Sequence, residues 1–374
     1  MLKKMTLTNF LSFAEKTDFD FSPTKYGILS VTNVSSSNNL KGGLFIGPNA
    51  SGKTNALRGI AFLLKLFKDE KMKYTPYLCL WGEKHFFETT YQFDFSGEIV
   101  DYTIKYHANT RTLEEKLLIN NTEVLVRMGT SGKLSLGTQD ILNDNLDSAT
   151  IFLRTAAFAT GNFPDNATLR NLIEFITNSV YLPSEASSQY AVKDIENYAE
   201  TNGLEKVNSY LQSFNYDFTL EYTHESIGEG VRFRSPDKKI VVYKRNNFPV
   251  PIHLSMESQG NLTFTCLLPH IIDVIEKPGM IVIDEFGNSL HNELAEKTVH
   301  FFMKNADLSQ LFITSHCTNL ISNSVFRPDQ INLVTFDGRN GSKTKRLSDY
   351  KPREAQNLEK MYLGGMFEGL PHYE

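Results

Sequence analysis

The residues best suited to chemistry begin with a glycine-containing loop that matches the pattern G-x-x-x-x-G-K-[ST] in full. Its members are Gly47, Pro48, Asn49, Ala50, Ser51, Gly52, Lys53 and Thr54. In such a loop, backbone N–H groups converge on the β-phosphate of a nucleotide, and the helix that follows adds partial positive charge. Lys53 would bridge to the γ-phosphate, and Thr54 would bind Mg²⁺ through its hydroxyl. The loop therefore predicts a nucleoside triphosphate site.

Two carboxylates, Asp284 and Glu285, follow the apolar run Met280–Ile283. Ligands bind at the carboxyl ends of strands in α/β sheets, so acids at this position suit metal and water chemistry. Asp284 would orient Mg²⁺ or its water shell, and Glu285 would accept a proton from the attacking water or position it. A strand capped by solvated acids is the alternative, which the presence of the loop disfavours.

His316 follows a further apolar run, Leu311–Thr314. Its imidazole could hydrogen-bond to the γ-phosphate and respond to its loss. A single histidine near a strand end is more often a structural residue, but the order of the elements favours a functional role.

Ser258 and Gly260 open a predicted helix ahead of the Asp284 strand. Ser258 is a good N-cap, and Gly260 exposes backbone N–H groups that could bind a second anion. The alternative is a capped helix without a ligand.

The elements around these residues follow an α/β pattern. The segment from Gly43 to Phe67 predicts a strand, the glycine loop and a helix. Beyond residue 251, alternating elements indicate a mostly parallel sheet. They are a helix at Ser258–Ile275, the strand Met280–Ile283, a helix at Asn292–Asn305, and strands at Leu311–Thr314 and Ile331–Phe336.

Between these parts, period-two alternation from His85 to Val126 predicts a β-meander, and the polar stretch Arg127–Asp147 predicts a loop. A helix capped by Asp165 or Asn166 and a second helix near Leu204–Phe214 come next. A β-hairpin is then expected, with its turn at Pro236-Asp237.

Composition sets limits on the class of protein. The chain has 374 residues, 41% hydrophobic and 22% charged, with a net charge of −5, which excludes disordered and histone-like proteins. Its cysteines, Cys79, Cys266 and Cys317, lack metal-ligand spacing, so we expect free thiols in the cytoplasm. Neither a signal peptide nor an apolar run of membrane-spanning length is evident, so no membrane partner is expected.

The four segments GPNASGKT, LSMESQG, MIVIDE and LFITSH, in this order, resemble those of the ABC-type ATPase heads in the branch that contains the SMC, RecF and OLD proteins. The opening KMTLTNFLSF, Asn49 and Asn55 are similar to the same branch. The resemblance implies a P-loop NTPase head with a mostly parallel core sheet, an antiparallel β-meander and a helical insertion. It also implies slow hydrolysis of ATP, with Mg²⁺ as cofactor.

In that family, Ser258 and Gly260 would form the signature motif, which contacts the γ-phosphate bound to the opposite subunit. Asn288 and Ser289 fall at the D-loop, and His316 matches the switch histidine. Because the chain has one P-loop and one signature, the resemblance implies a head-to-tail homodimer, with higher-order assembly left open. The signature departs from Leu-Ser-Gly-Gly-Gln, and no Q-loop glutamine is identifiable.

Residues 284–291 and the terminal YLGGMFEGLP look like the stand-alone RloA-like and OLD-like ATPases of bacterial anti-phage and abortive-infection systems. The segment after His316 lacks the acidic cluster of a nuclease domain. The resemblance therefore implies an ATPase that controls a separate nuclease or toxin. Two alternatives remain, namely a nucleotide-dependent scaffold or sensor with incidental turnover, and a RecF-like DNA repair ATPase.

DNA is retained as an alternative partner because basic residues cluster in two places, although a solvated polar face is the preferred interpretation. They are Lys343, Lys345, Arg346, Lys351 and Arg353, and then Lys238, Lys239, Lys244 and Arg245.

The Walker-type motifs lie far apart in sequence yet must share one sheet. We therefore predict that residues 1–150 and 251–374 form one ATPase head, and that residues 151–250 are inserted into it as a helical and β-hairpin lid.

Overall fold

The structure is a computed structural model that describes residues 1–82, 85–137, 139–184, 188–228, 231–234 and 240–370. The strands are β1 (Leu2–Thr8), β2 (Thr17–Asp20), β3 (Gly42–Ile46), β4 (Phe86–Phe95), β5 (Glu98–His107), β6 (Thr112–Ile119), β7 (Thr122–Met128), β8 (Ser131–Leu136), β9 (Gln139–Asn143), β10 (Val180–Leu182), β11 (Phe218–Thr223), β12 (Glu225–Gly228), β13 (Val231–Arg234), β14 (Ile240–Arg245), β15 (Ile252–His253), β16 (Met280–Ile283), β17 (Gln310–Thr314), β18 (Ile331–Phe336) and β19 (Ser342–Arg346). The α-helices are α1 (Ser30–Asn33), α2 (Lys53–Lys68), α3 (Phe152–Thr160), α4 (Ala167–Thr177), α5 (Ser188–Asn202), α6 (Glu205–Ser213), α7 (Gln259–Glu276), α8 (Asn292–Asn305) and α9 (Leu358–Leu363).

The chain divides into two compact units. The first comprises Met1–Leu182, Val274–Phe286 and Glu296–Glu374, and the second comprises Pro183–Asp273 and Gly287–Ala295.

These boundaries differ from the three predicted segments. Residues 151–182, which the sequence analysis assigned to the insertion, belong to the first unit. The physical reason is apolar packing, since Leu153 of α3 and Leu172 of α4 are fully buried in the same core cluster as the meander strands. That the second unit acts as a lid stays a prediction.

The core sheet of the first unit has the strand order β10-β16-β17-β3-β18-β19. All neighbours from β10 to β18 pair in parallel, and β19 is antiparallel to β18. Continuous apolar runs are typical of strands that are covered on both faces, and β3, β16 and β17 are buried along their whole length. The carboxyl ends of β3, β16 and β17 therefore meet at one edge of this sheet.

A second sheet of the first unit is an antiparallel meander in the order β2-β1-β4-β5-β6-β7-β8-β9. Its alternating burial reflects one face on the core and one towards solvent. The mixed α/β fold, with a mostly parallel sheet and an antiparallel meander, is confirmed.

The predicted loop at Arg127–Asp147 is wrong, because this stretch contributes β8 and β9 to the meander. Gly129 and Gly137 have positive φ angles of 63° and 73° and turn the chain between paired strands. Leu134 supplies the apolar anchor, since it is fully buried and pairs with Leu125 and Ile141. The glycines here mark hairpin turns.

One apolar core joins both sheets of this unit to α2. Phe62 of α2 packs edge-on against Phe10 and Phe87, with ring centroids 5.4 and 5.5 Å apart. Gly59 allows close approach of the meander, because an added Cβ would lie 2.9 Å from Met5 Sδ, and its carbonyl accepts a hydrogen bond from Tyr91. The helix after the glycine loop is thereby held rigidly.

The second unit contains a sheet in the order β11-β14-β15-β12-β13. The predicted hairpin between β13 and β14 is wrong, because β13 pairs with β12 and β14 pairs with β11 and β15. The buried Val241–Tyr243 run gives the reason, since an apolar strand gains most by lying between two neighbours. The predicted turn at Pro236-Asp237, together with Lys238 and Lys239, lies outside the described residues.

The helices and strands predicted beyond residue 251 agree with the structure to within a residue or two. Asn166 caps α4 by accepting a hydrogen bond from the N–H of Leu169, and α8, β16 and β18 have the predicted bounds. Within the described part of the chain, no helix has the length and apolar character needed to cross a membrane.

Candidate functional site

The glycine loop connects the end of β3 to the start of α2, as its motif requires. Gly52 has a φ of 104°, and a Cβ there would lie 2.2 Å from Ser342 Oγ, so only glycine fits. A Cβ on Gly47 would lie 2.1 Å from the carbonyl oxygen of Val334. Pro48 is half-buried, and Asn49 and Ala50 are exposed at the loop tip. The loop is thus closely packed against Val334 and Ser342 on one side, and its tip at Asn49 and Ala50 is open to solvent.

Lys53 lies at the first position of α2 and is 93% buried. Its Nζ donates hydrogen bonds to the carbonyl oxygens of Gly47 (3.0 Å) and Pro48 (2.8 Å). Burial lowers the pKa of the ammonium from its usual 10.5, and the charges of Asp284 and Glu285 partly oppose that shift. A poorly solvated cation at the loop is well placed to bind a phosphate anion.

Thr54 and Asp284 meet although 230 residues separate them in sequence. Thr54 Oγ1 donates to Asp284 Oδ1 at 3.0 Å, and Thr314 Oγ1 donates to the same oxygen at 2.6 Å. Asp284 is 94% buried at the carboxyl end of β16. The fold therefore brings the metal ligands suggested by the two motifs into direct contact.

Glu285 has a left-handed backbone with a φ of 55°. Its N–H donates to Thr314 Oγ1 at 2.8 Å, which fixes this strained turn, and its side chain is exposed. The turn separates the two neighbouring acids, since Asp284 is buried under the loop while Glu285 is accessible to water.

His316 follows β17 at the same edge of the sheet and is exposed. Partial desolvation of the ring lowers its pKa from the usual 6.5, and the nearby charge of Lys53 lowers it further. Glu285 and Asp284 oppose this shift. The four predicted groups, Lys53, Asp284, Glu285 and His316, thus lie within electrostatic reach of one another.

These residues fit Mg²⁺ and a nucleoside triphosphate. The Asp284 carboxylate and the Thr54 hydroxyl are the hard oxygen donors that Mg²⁺ prefers. No cluster of three or more His, Cys, Asp or Glu side chains forms a metal site among the described residues. One acid and one hydroxyl suit Mg²⁺, which usually takes its other ligands from water and substrate phosphates. A cavity of about 430 Å³ borders Lys53 and Thr54 and has the size of a small-molecule site.

Three supporting residues, Thr314, Ser342 and Ser12, carry no sequence motif and were missed. Thr314 holds both acids through its hydroxyl, as described above. Ser342 Oγ donates to the carbonyl of Ser51 and is hydrogen-bonded to the hydroxyl of Ser12, both at 2.7 Å. Asn55 donates to Ser12 Oγ at 2.9 Å. Ser12 and Ser342 therefore stabilise the glycine loop through hydrogen bonds to Ser51 and Asn55.

Ser51 itself provides a further indication of a ligand site. Ser51 is 98% buried, yet its Oγ has no hydrogen-bond partner among the residues that the structure describes. An added Cβ on Gly47 would lie 3.0 Å from this oxygen, so the hydroxyl faces the inside of the loop. An unpaired buried hydroxyl is costly, and a bound phosphate would satisfy it.

Ser258 and Gly260 lie in the second unit at the start of α7. Ser258 Oγ accepts a hydrogen bond from the N–H of Asn261 at 3.3 Å, which is N-cap geometry. A Cβ on Gly260 would lie 2.7 Å from the carbonyl oxygen of Ser289, so the signature and the D-loop segment are in contact. Their contact with a nucleotide stays a prediction.

Several of the C-terminal basic residues are engaged in ion pairs. Lys343 pairs with Asp337 at 2.8 Å and Lys345 with Glu368 at 3.5 Å. Arg346 is largely buried and pairs with Asp20 at 3.4 Å. These partners support a solvated polar face over a DNA-binding surface.

Two solved structures resemble the chain in fold. The SMC head domain from Thermotoga maritima is 16% identical with a TM-score of 0.51, and the alignment covers 92% of this chain and 98% of that one. A crystal structure of the SmcHead bound to the C-winged helix domain of ScpA is 14% identical with a TM-score of 0.52, covering 93% and 99%. At these identities, the likeness shows the fold alone, which is that of an SMC head domain.

A search of curated proteins finds no match. A family model described as "AAA domain, putative AbiEii toxin, Type IV TA system" matches residues 44–322, from β3 through the segment after His316. This match extends over most of the chain and includes both acidic and phosphate-binding motifs. The chain therefore belongs to this AAA-domain family and has the fold of an SMC head domain.

Proposed function

We propose that the protein binds and hydrolyses ATP and acts as a molecular switch. The observation that carries this proposal is the 3.0 Å hydrogen bond between Thr54 and Asp284, which joins the phosphate-binding loop to the acidic strand end. A glycine loop alone binds phosphate, whereas a loop with two acids and a histidine at the same sheet edge can also activate water.

Each side chain has a distinct role in this mechanism. Lys53 and the N–H groups of the loop hold the β- and γ-phosphates, at the positive end of α2. Thr54 and Asp284 would hold Mg²⁺, which when bound neutralises phosphate charge. Glu285 accepts a proton from the attacking water or orients it, because its carboxylate is exposed beside the buried Asp284. His316 donates a hydrogen bond to the γ-phosphate and loses that contact after hydrolysis.

The switch would operate as a homodimer. The chain carries one phosphate loop and one signature segment, so two copies arranged head to tail would enclose two ATP molecules. ATP binding would close the dimer, and hydrolysis or product release would open it.

The switch would control a separate effector in anti-phage defence, of the RloA-like or OLD-like kind. Two findings support a protein partner and a toxin effector. The family description names a toxin and a toxin–antitoxin system, and one of the similar heads is bound to a domain of another protein. The paired C-terminal basic residues favour such a partner over DNA.

Replacing Lys53 with Ala and Glu285 with Gln tests hydrolysis. Glu285→Gln should reduce kcat by about 10²- to 10⁴-fold while ATP still binds, because only the proton acceptor is lost. Lys53→Ala should weaken ATP binding itself. Phosphate release and calorimetric ATP titration measure the two effects, and Lys65→Ala, an exposed lysine on the same helix, is the control. Wild-type turnover in both variants would exclude this active site.

A second candidate is a nucleotide-stabilised scaffold with incidental turnover. No Q-loop glutamine is identifiable, and Gln92 lies in β4 and donates to Asp101 on β5 at 2.9 Å, so it serves the meander. A scaffold should keep full biological activity when Glu285→Gln traps ATP, whereas a cycling switch should lose it.

A further inference from the structure

The cavity beside the phosphate loop extends to two aromatic side chains, Trp81 and Phe336. Their rings form an edge-to-face pair with centroids 5.2 Å apart and planes at 76°. Both stay accessible, at 44% and 39% exposure, although large aromatic residues are usually buried. Neither residue belongs to a phosphate, metal or acid motif.

Trp81 is held in place by the turn that follows β1, at residues 9–12. The N–H of Cys79 donates to the carbonyl of Asn9 at 2.9 Å, and Leu78 forms a β-bridge with Phe10. A Cβ on Gly82 would lie 2.1 Å from Asn9 Oδ1, so the chain next to Trp81 lies directly against this turn. The indole is therefore positioned by the segment that also contains Ser12.

Phe336 is tied to the same turn from the other side. It is the last residue of β18 and pairs in register with Ser342, whose N–H donates to the carbonyl of Ser12. Ser342 Oγ in turn donates to the carbonyl of Ser51 in the phosphate loop. Both rings are thus anchored to the framework that supports the loop.

This arrangement has the layout of a nucleotide site. Lys53 and Thr54 border one part of the cavity, and the two rings border another. A triphosphate bound at the loop would extend its nucleoside into the remaining space. Aromatic faces bind nucleobases by stacking, an interaction worth about 1–3 kcal/mol per base.

We propose that Trp81 and Phe336 form a stacking site for the purine base of the bound nucleotide. This inference rests on the proposed ATP site. Because every base presents a π-face, stacking tolerates changes at the base edge. ATP and GTP should therefore bind with similar affinity, and the smaller pyrimidine rings should bind more weakly.

Trp81 is the single tryptophan of the chain, so its fluorescence reports on this site without a label. Saturating ATP with Mg²⁺ should quench the indole emission, because a stacked base quenches indole. Inorganic tripolyphosphate, which occupies the loop without a base, should bind yet leave the emission nearly unchanged.

Calorimetry of Trp81→Ala and Phe336→Ala completes the test. Each variant should bind ATP roughly tenfold more weakly and tripolyphosphate with unchanged affinity. Phe336→Leu, which keeps apolar bulk, should show the same loss if stacking is responsible. Phe158→Ala, an exposed phenylalanine on α3, is the matched control.

The outcomes separate the two proposals. If the wild type hydrolyses ATP and all three variants bind it normally, the stacking site is wrong and the ATPase proposal stands. If neither ATP nor tripolyphosphate binds the wild type, both proposals fall. Equal quenching by ATP and tripolyphosphate would also exclude contact between Trp81 and the base.

Discussion

At the scale of single residues, the pKa of His316 depends on three charged neighbours. Partial desolvation and the Lys53 ammonium lower its pKa, while Glu285 and Asp284 raise it. The net direction is downward from 6.5, so the imidazole stays neutral further into the acidic range than an ordinary histidine. A neutral imidazole can donate one hydrogen bond without an added charge at the sheet edge.

Two substitutions should move this pKa in opposite directions. Lys53→Ala removes a positive charge and should raise the pKa of His316, whereas Glu285→Gln removes a negative charge and should lower it. NMR titration of the imidazole C–H signals, assigned with His316→Gln, measures both shifts. Shifts of the same sign in the two variants would show that His316 does not face these groups.

The sequence was sufficient to predict that Lys53, Thr54, Asp284 and Glu285 lie near one another, because each stands at a fixed position in a motif, and their chemical roles stay predictions. It was insufficient for Ser12, Thr314 and Trp81, whose roles depend on contacts that close over long separations. A serine or threonine in a strand or turn carries no signal of the partner that its hydroxyl will find. Such supporting groups are visible once the fold is known.

At the scale of elements, a buried ion pair explains why the polar stretch after β7 is ordered. Arg127 and Glu115 are both fully buried and 3.1 Å apart. Arg127 also donates to the carbonyls of Asp147 and Thr150, and the N–H of Phe152 donates to Glu115. One pair of charges thus attaches the meander to the start of α3.

Arg127→Met should destabilise the protein by about 3–5 kcal/mol, because it leaves the Glu115 carboxylate buried without its partner. Lys116→Met is the control, since Lys116 lies next to Glu115 on β6 and pairs with Glu123 at the surface. That exposed pair should contribute about 0–1 kcal/mol. Urea unfolding followed by circular dichroism measures the difference, and equal losses for the two variants would contradict a structural role for the buried pair.

Helices and strands were predicted correctly where the local sequence pattern determines them. The prediction failed where the structure depends on which strands pair with each other. The strands β16 and β17 were predicted from apolar runs, and α4 from its asparagine cap. The partner of β14 could not be predicted from adjacency, because strand neighbours follow from packing of the whole sheet. Glycines were also ambiguous, since a loop and a hairpin turn both use them.

At the scale of the whole molecule, the first unit is assembled from distant parts of the chain. β3 pairs with β17 on one side and with β18 on the other, so the phosphate loop leaves the sheet between two C-terminal strands. The segment that carries Ser258 belongs to the other unit. A chain with one loop and one signature is expected to complete its site with a second copy.

The expected dimer can be tested with Glu285→Gln, which should hold ATP for long periods. Analytical ultracentrifugation should find monomers without nucleotide and dimers with ATP and Mg²⁺, because each ATP would link the loop of one copy to Ser258 of the partner subunit. Ser258→Arg in the same background should prevent this shift through steric and charge effects at the signature. Ser255→Arg, at an exposed serine three residues earlier, should not. An ATP-dependent dimer that persists in Ser258→Arg would place the interface elsewhere, and a monomer under all conditions would mean that one chain works alone.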